Sequence, residues 1–223
     1  MVLGWWTHHP ERLTNFRNLQ TNMTKRQKRT QTTRSVRSLT TRDVRNIIRG
    51  EAETKRFVLV NTLNLNSTAG TVLNLSNGII QGDDISQRAG DKIRMTKQIL
   101  RVRATAITNS QTFRFIWFKD NTNRGTTPSV TEVLNSASFM AQYNPVTLLQ
   151  HRFTILKDVE LDCSLSGESI KHLVMTHGGT SCFYNGTTAV ASANGPGAIF
   201  LLVIGDSIVG TWDVGYEAHY LDL

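Results

Sequence analysis

From residue 51 to the C-terminus, apolar side chains recur at every second position within short segments, a period that only a half-buried β-strand produces. In 99–107, Leu100, Val102, Ala104 and Ala106 alternate with Arg101, Arg103 and Thr105. In 112–119, Phe113, Phe115 and Trp117 share one face. In 153–163, Phe153, Ile155, Val159, Leu161 and Cys163 share a face, with Lys157 as the exception. Asp158, Glu160 and Asp162 occupy the opposite side. A first segment spans 57–65. The stretch 198–204 is apolar throughout and reads as a strand covered on both sides. Asn185-Gly186, Asn194-Gly195-Pro196-Gly197 and Gly205-Asp206 are turn signals. One helix is expected near 128–137, with Thr127 as cap, Pro128 in its first turn, and Val130, Val133, Leu134 and Ala137 as its apolar stripe. Many short strands and a single inserted helix give the fold class: all-β, a single eight-stranded jelly-roll sandwich with a basic, partly helical N-terminal arm.

Charge divides the chain further. Residues 1–50 carry 11 Lys/Arg against 2 Asp/Glu, whereas 51–223 carry 14 against 15, so the whole excess of +8 lies in the first quarter. Three segments follow: 1–22, mixed and aromatic; 23–50, a basic arm; and 51–223, the jelly-roll β domain. Met23 stands where composition changes and is a candidate start, so residues 1–22 are expected to be absent from, or disordered in, the mature subunit. In the arm, Lys25, Arg26, Lys28, Arg29, Arg34, Arg37, Arg42, Arg45 and Arg49 face a single acid, Asp43. Such density suggests a polyanion partner, the alternative being a solvated, disordered terminus. Val36, Leu39, Val44, Ile47 and Ile48 give 34–49 an amphipathic helical pattern that Gly50 ends. The arm has no aromatic residue on which a base could stack, so charge is its expected handle on a polyanion.

Conventional catalytic signatures are missing. The histidines lack metalloprotease spacing, and no phosphate-cradling glycine loop or nucleophile elbow occurs. Asp158, Glu160 and Asp162 have no partner base or nucleophile and read as a solvated or interface-facing stripe; no catalytic residue is assigned. The two cysteines, Cys163 and Cys182, read as reduced thiols, with Cys163 buried in a strand. The longest apolar run, 198–204, is too short to span a bilayer, and no membrane partner is expected. The loop 81–91 gathers Asp83, Asp84 and Asp91 between glycines. Carboxylates and free carbonyls are the hard oxygens calcium selects, but EF-hand spacing is lacking, so a surface acidic loop and a metal site both fit.

The residues also resemble a known family. The runs TAGT (68–71), NLSNGIIQGDD (74–84), QTFRFIWF (111–118), NRGTTP (123–128), RFTILKDV (152–159), GESIK (167–171) and NGPGAIF (194–200) are similar to the coat protein of satellite tobacco necrosis virus, over about residues 28–223. This resemblance implies a viral capsid protein whose sixty copies form a T=1 icosahedral shell around a single-stranded RNA genome. It implies dependence on a helper virus for replication, synthesis in the host cell cytoplasm, and location in the virion. It implies Ca2+ at subunit contacts: Asp83 at one site; Glu53 of a neighbour, the carbonyls of Ala89 and Lys92, and Asp222 at a second; and the carbonyl of Ser166 at a third. Arg42 and Arg45 match RNA-contacting positions, Arg49 stands near a further one that falls on Asn46, and His151 replaces an inward-facing lysine. With +8 over residues 24–50, sixty arms would bring about 480 positive charges to the RNA. The alternative is a non-assembling viral RNA-binding protein; an enzyme on a β-sandwich would need a pocket of converging polar groups.

Overall fold

The computed structural model describes residues 53–223, together with Thr40, Thr41 and Asp43. Glu51–Leu223 forms one compact unit. Its strands are β1 (Thr54–Leu65), β2 (Thr71–Asn74), β3 (Lys92–Thr105), β4 (Gln111–Asp120), β5 (Phe153–Cys163), β6 (Ile170–His177), β7 (Thr180–Phe183), β8 (Ala198–Gly205) and β9 (Thr211–Asp222). Two single-turn helices, α1 (Val130–Val133) and α2 (Pro145–Leu149), interrupt the β4–β5 connection.

All strand pairs are antiparallel and form two sheets, ordered β1-β9-β3-β6, with β7 also on β3, and β2-β8-β4-β5. Residues Lys92–Met95 of β3 pair with β7, and Gln98–Thr105 with β6. The strands β6 and β7 therefore fill one position, giving eight positions in two four-position sheets with long crossovers: a jelly roll. The break falls at Gly178-Gly179, opposite a bulge between Met95 and Lys97. A Cβ at Gly178 would sit 2.8 Å from the Thr96 carbonyl oxygen, and Gly179 has φ +75°. Only glycine fits so tight an approach, followed by a left-handed residue.

The main core lies between the sheets. Leu100, Val102 and Ala104 of β3 meet Phe113, Phe115 and Trp117 of β4 and Trp212, Val214 and Tyr216 of β9. The alternation expected of β3 and β4 holds, and β5 has the bounds expected of it. The single face expected for β5 is corrected. Trp117 pairs with Lys157 but Phe118 pairs with Ile155, so Leu156 is an extra residue. Each residue across this bulge changes face. Phe153 and Ile155 consequently pack outside the sheet, while Val159, Leu161 and Cys163 line the main core. The Lys157 exception marks this bulge.

A second core explains the unbroken apolar run of β8. Phe200, Leu202 and Ile204 point away from the other sheet, against Val133, Leu134 and Ala141 of the β4–β5 connection. Burying each such side chain contributes about 1.5–3 kcal/mol. The helix expected over 128–137 is also corrected. Ser129, with Glu132 three residues on, caps only the turn Val130–Val133, and Leu134 leaves it to bridge Tyr143. Outside this unit, Thr40 caps a helical turn containing Thr41 and Asp43. Its amide and hydroxyl donate to Asp43 Oδ2 at 3.0 and 2.7 Å, and Asp43 N donates back to Thr40 Oγ1 at 3.2 Å. The rest of the helix expected over 34–49 lies outside the described residues.

Candidate cation sites and charged assembly surfaces

The β2–β3 connection carries the acidic loop. Gln81 and Arg88 bridge at its neck, and Gly82 N donates to Arg88 O at 2.9 Å. Asp83 is exposed on the loop so closed. The neck is held by the Arg88 guanidinium, whose side chain is 0% exposed. It donates to the carbonyls of Gly90 and Gly186 and to Asp91 Oδ1 at 3.2 Å, and lies 4.3 Å from the centroid of the Tyr184 ring. A buried cation is tolerable only when its donors are so engaged. Nothing in the linear pattern distinguished Arg88 from an exposed loop residue, because two of its partners, Gly186 and Tyr184, lie far along the chain.

The structure brings Ala89, Lys92 and Asp222 together where β9 ends beside the start of β3. Asp222 pairs with Ile93, Ala89 N donates to Asp222 Oδ2 at 3.1 Å, and Lys92 O accepts from Leu223 N at 3.1 Å. Asp222 Oδ1 is buried without a hydrogen-bond partner, an oxygen that a cation would satisfy. Lys55, missed in the sequence, stands 3.1 Å from Asp222 Oδ2 and already supplies one positive charge. Oδ1 is left open to a cation, while Ala89 O accepts from Gln81 Nε2 at 3.0 Å and Lys55 reduces the net attraction. Glu53 is exposed just before β1, and Ser166 is exposed in the β5–β6 turn, its hydroxyl 3.1 Å from that of Ser164. Asp83, Glu53 and Ser166 are not joined to this corner by any hydrogen bond. Among the described residues, no three His, Cys, Asp or Glu side chains of one chain gather for a metal. The arm residues Lys25, Arg26, Lys28, Arg29, Arg34, Arg37, Arg42, Arg45 and Arg49 lie outside the described residues, as does 1–22.

The outer faces of the sandwich carry opposite charge. On the β1-β9-β3-β6 sheet, Glu217 of β9 accepts from His219 Nε2 at 2.8 Å, Arg56 Nε of β1 at 2.9 Å and Arg101 Nη1 of β3 at 3.4 Å. Those bonds hold its carboxyl down at about 2, His219 contributing most. Arg103 similarly pairs with Asp213. On the other sheet, Arg114 forks onto Asp158 at 3.0 and 2.7 Å and donates to the carbonyls of Phe139 and Ala141. Its bonds to Asp158 outweigh desolvation and raise its pKa. Tyr143 donates to the same carboxylate, and burial raises its pKa above the ordinary range. Asp158 is therefore committed to holding the β4–β5 connection down. Its neighbours Glu160 and Asp162 have no cation within ion-pair distance among the described residues. Two thiols, Cys163 and Cys182, are buried and unpaired; burial pushes the Cys182 thiol up to about 12.

The fold is a jelly roll whose charged side chains anchor loops or line its outer faces. The satellite tobacco necrosis virus coat protein family matches residues 23–223, and the chain belongs to that family. It is 65% identical over 179 residues to the capsid protein of Satellite tobacco necrosis virus 1, covering 80% of this chain and 91% of that protein. It is 52% identical over 202 residues to the coat protein of Satellite tobacco necrosis virus 2, covering 90% and 100%. The coat protein of Maize white line mosaic Satellite virus is 33% identical over 170 residues, covering 74% and 78%. Among solved structures, a protein of desmodium yellow mottle tymovirus aligns with TM-score 0.37 and 11% identity over 77% of this chain and 90% of that one. The chain is thus a satellite-virus coat protein, structural rather than enzymatic.

Proposed function

We propose that this coat protein assembles as sixty copies into a T=1 icosahedral shell, packages a single-stranded RNA genome, and binds Ca2+ at subunit contacts. The observation that carries the reading is the family match from residue 23 to 223, which takes in the basic arm as well as the jelly roll. The arm engages RNA phosphates through Lys25, Arg26, Lys28, Arg29, Arg34, Arg37, Arg42, Arg45 and Arg49; repulsion between arms makes assembly RNA-dependent and salt-sensitive. Ca2+ is held by Asp83 of several copies at one contact. It is held by Ala89, Lys92 and Asp222 with Glu53 of a neighbour at another, and by Ser166 at a third. When bound, it neutralises carboxylates that would otherwise repel one another. The protein resides in the virion, is made in the host cytoplasm, and depends on a helper virus.

Negative-stain microscopy and nuclease protection test this together. Purified protein with RNA should give uniform small spheres holding protected RNA. Replacing Arg42, Arg45 and Arg49 with alanine should reduce protected RNA while the jelly roll stays folded. Soluble monomers at every concentration would establish a non-assembling RNA-binding protein instead. Normal packaging with an unchanged salt slope in the triple variant would remove the arm from the mechanism.

A further inference from the structure

At one end of the sandwich, two cross-strand pairs face each other across the gap between the sheets. Gln98 of β3 lies opposite His177 of β6, and Trp117 of β4 lies opposite Lys157 of β5. Directly paired residues share a face, and Gln98 and Trp117 are both fully buried. The Trp117 and His177 rings meet edge-on across the gap, their centroids 6.1 Å apart. Lys119, two residues beyond Trp117 and paired with the core residue Ile199, points the same way. The polar atoms gathered here are mostly donors. Tyr216 OH donates to Gln98 Oε1 at 2.7 Å, which leaves Gln98 Nε2 without a partner; Trp117 Nε1 has none either. The ammonium groups of Lys119 and Lys157 can only donate. The carboxylates next to them in the chain turn to the other face, where Asp120 bonds Arg152 and Asp158 bonds Arg114. Among the described residues, no carboxylate stands within ion-pair distance of Lys119, Lys157 or His177. Burial, then Lys119 and then Lys157 hold the His177 imidazole below its ordinary pKa, so these charges act on one another.

We propose that this cluster binds a small tetrahedral oxyanion, inorganic phosphate, between the two sheets. Two ammonium groups, an indole N–H and an amide N–H converge there, and a ligand that only accepts satisfies them all. Water suits the set poorly, because it must also donate, and His177 is the one member able to accept. A carboxylate suits it less well than phosphate, because its two oxygens lie in one plane while the donors come from two facing sheets. The site is reachable. Lys157 is exposed and Lys119 and His177 are half-buried at its mouth, while Gln98 and Trp117 form its floor. Lys119 also lines an open groove of about 350 Å³ with Asn121, Gly179 and Ser181, a polar approach for an ion. An RNA phosphodiester carries two ribose substituents that a floor so deeply buried does not admit, which selects the free anion. The bound anion would neutralise like charges brought together by folding and tie β4 and β5 to β6. It would therefore stabilise the subunit itself, apart from any contact between copies.

The test uses dissociated full-length subunits in inorganic phosphate or in chloride at matched pH and ionic strength. Phosphate at about ten times its Kd should raise the thermal midpoint by roughly 2–5 °C over chloride. The His177 ring resonance, followed by NMR, should titrate at higher pH in phosphate, because an anion beside it favours the imidazolium. The double variant Lys119→Met/Lys157→Met should lose both responses. In chloride it should melt no lower than wild type, because the change removes repulsion and keeps the apolar stems. The variant Lys119→Arg/Lys157→Arg should retain both responses, which keeps the proposal testable if the methionine variant does not fold. Equal midpoints in phosphate and chloride, or a phosphate response undiminished in the methionine variant, would overturn the site and place any binding on the basic arm. A His177 resonance moved by a short RNA oligonucleotide but not by phosphate would overturn the free anion as occupant.

Discussion

Replacing Arg88 with methionine should be among the most damaging single changes to the described body outside its apolar core. Methionine keeps much of the side-chain volume, so the cavity is small and the lost donors dominate. The part-buried carbonyls of Gly90 and Gly186 lose their charged donor, and leaving such a group unsatisfied costs about 1–3 kcal/mol. Relief from burying a guanidinium whose Nε has no partner offsets part of this. A net loss of about 2–4 kcal/mol follows, equivalent to a fall of roughly 5–15 °C in the thermal midpoint of a domain this size. The ion-pair partner is a poor alternative explanation, because Asp91 is 78% exposed. Asp91→Asn should therefore cost under about 1 kcal/mol. Urea unfolding of dissociated subunits measures both variants. If Asp91→Asn destabilised as much as Arg88→Met, the carbonyl argument would be wrong; so it would if Arg88→Met cost less than about 1 kcal/mol.

Gly178→Ala should cost about 1–3 kcal/mol in the same assay, because its Cβ meets the Thr96 carbonyl oxygen at 2.8 Å; a neutral effect would mean the bulge is free to shift. Glu217 titrates in the folded protein at about 2, below its ordinary 4.5, so its contribution is present above about pH 4.5 and is lost as pH falls toward 2. The gap in thermal midpoint between wild type and Glu217→Gln should accordingly narrow from about pH 5 to about pH 2.5, and a constant gap would refute the assignment. Chelation should swell the assembled shell or lower its melting temperature, and Asp83→Asn should blunt that response; an unchanged radius and melting temperature in chelator would dismiss calcium at these contacts.

Local sequence determined what local physics can determine. A sheet with one face on a core and one in water imposes period two, so β3 and β4 were legible as Leu100, Val102 and Ala104 and as Phe113, Phe115 and Trp117. The acidic loop and the run of β8 were likewise legible, because composition and hydropathy require no partner to be read. Tertiary structure alone decided the rest, because those features depend on residues distant in the chain. The β5 pattern read as one face until pairing with β4 exposed the bulge at Leu156. The helix expected to reach Ala137 ends after one turn, because Leu134 is drawn to Tyr143 and into the core over β8. Glycines 178 and 179 gave a turn no reason to split a strand; the Thr96 bulge across the ladder did. Arg88 and Lys55 look like solvent-exposed cations in sequence. They are buried because Gly186 and Asp222, roughly a hundred residues or more downstream, fold back upon them. Whether a charge faces water or anchors a loop is set by which distant oxygens reach it, and only the closed sandwich brings those oxygens near.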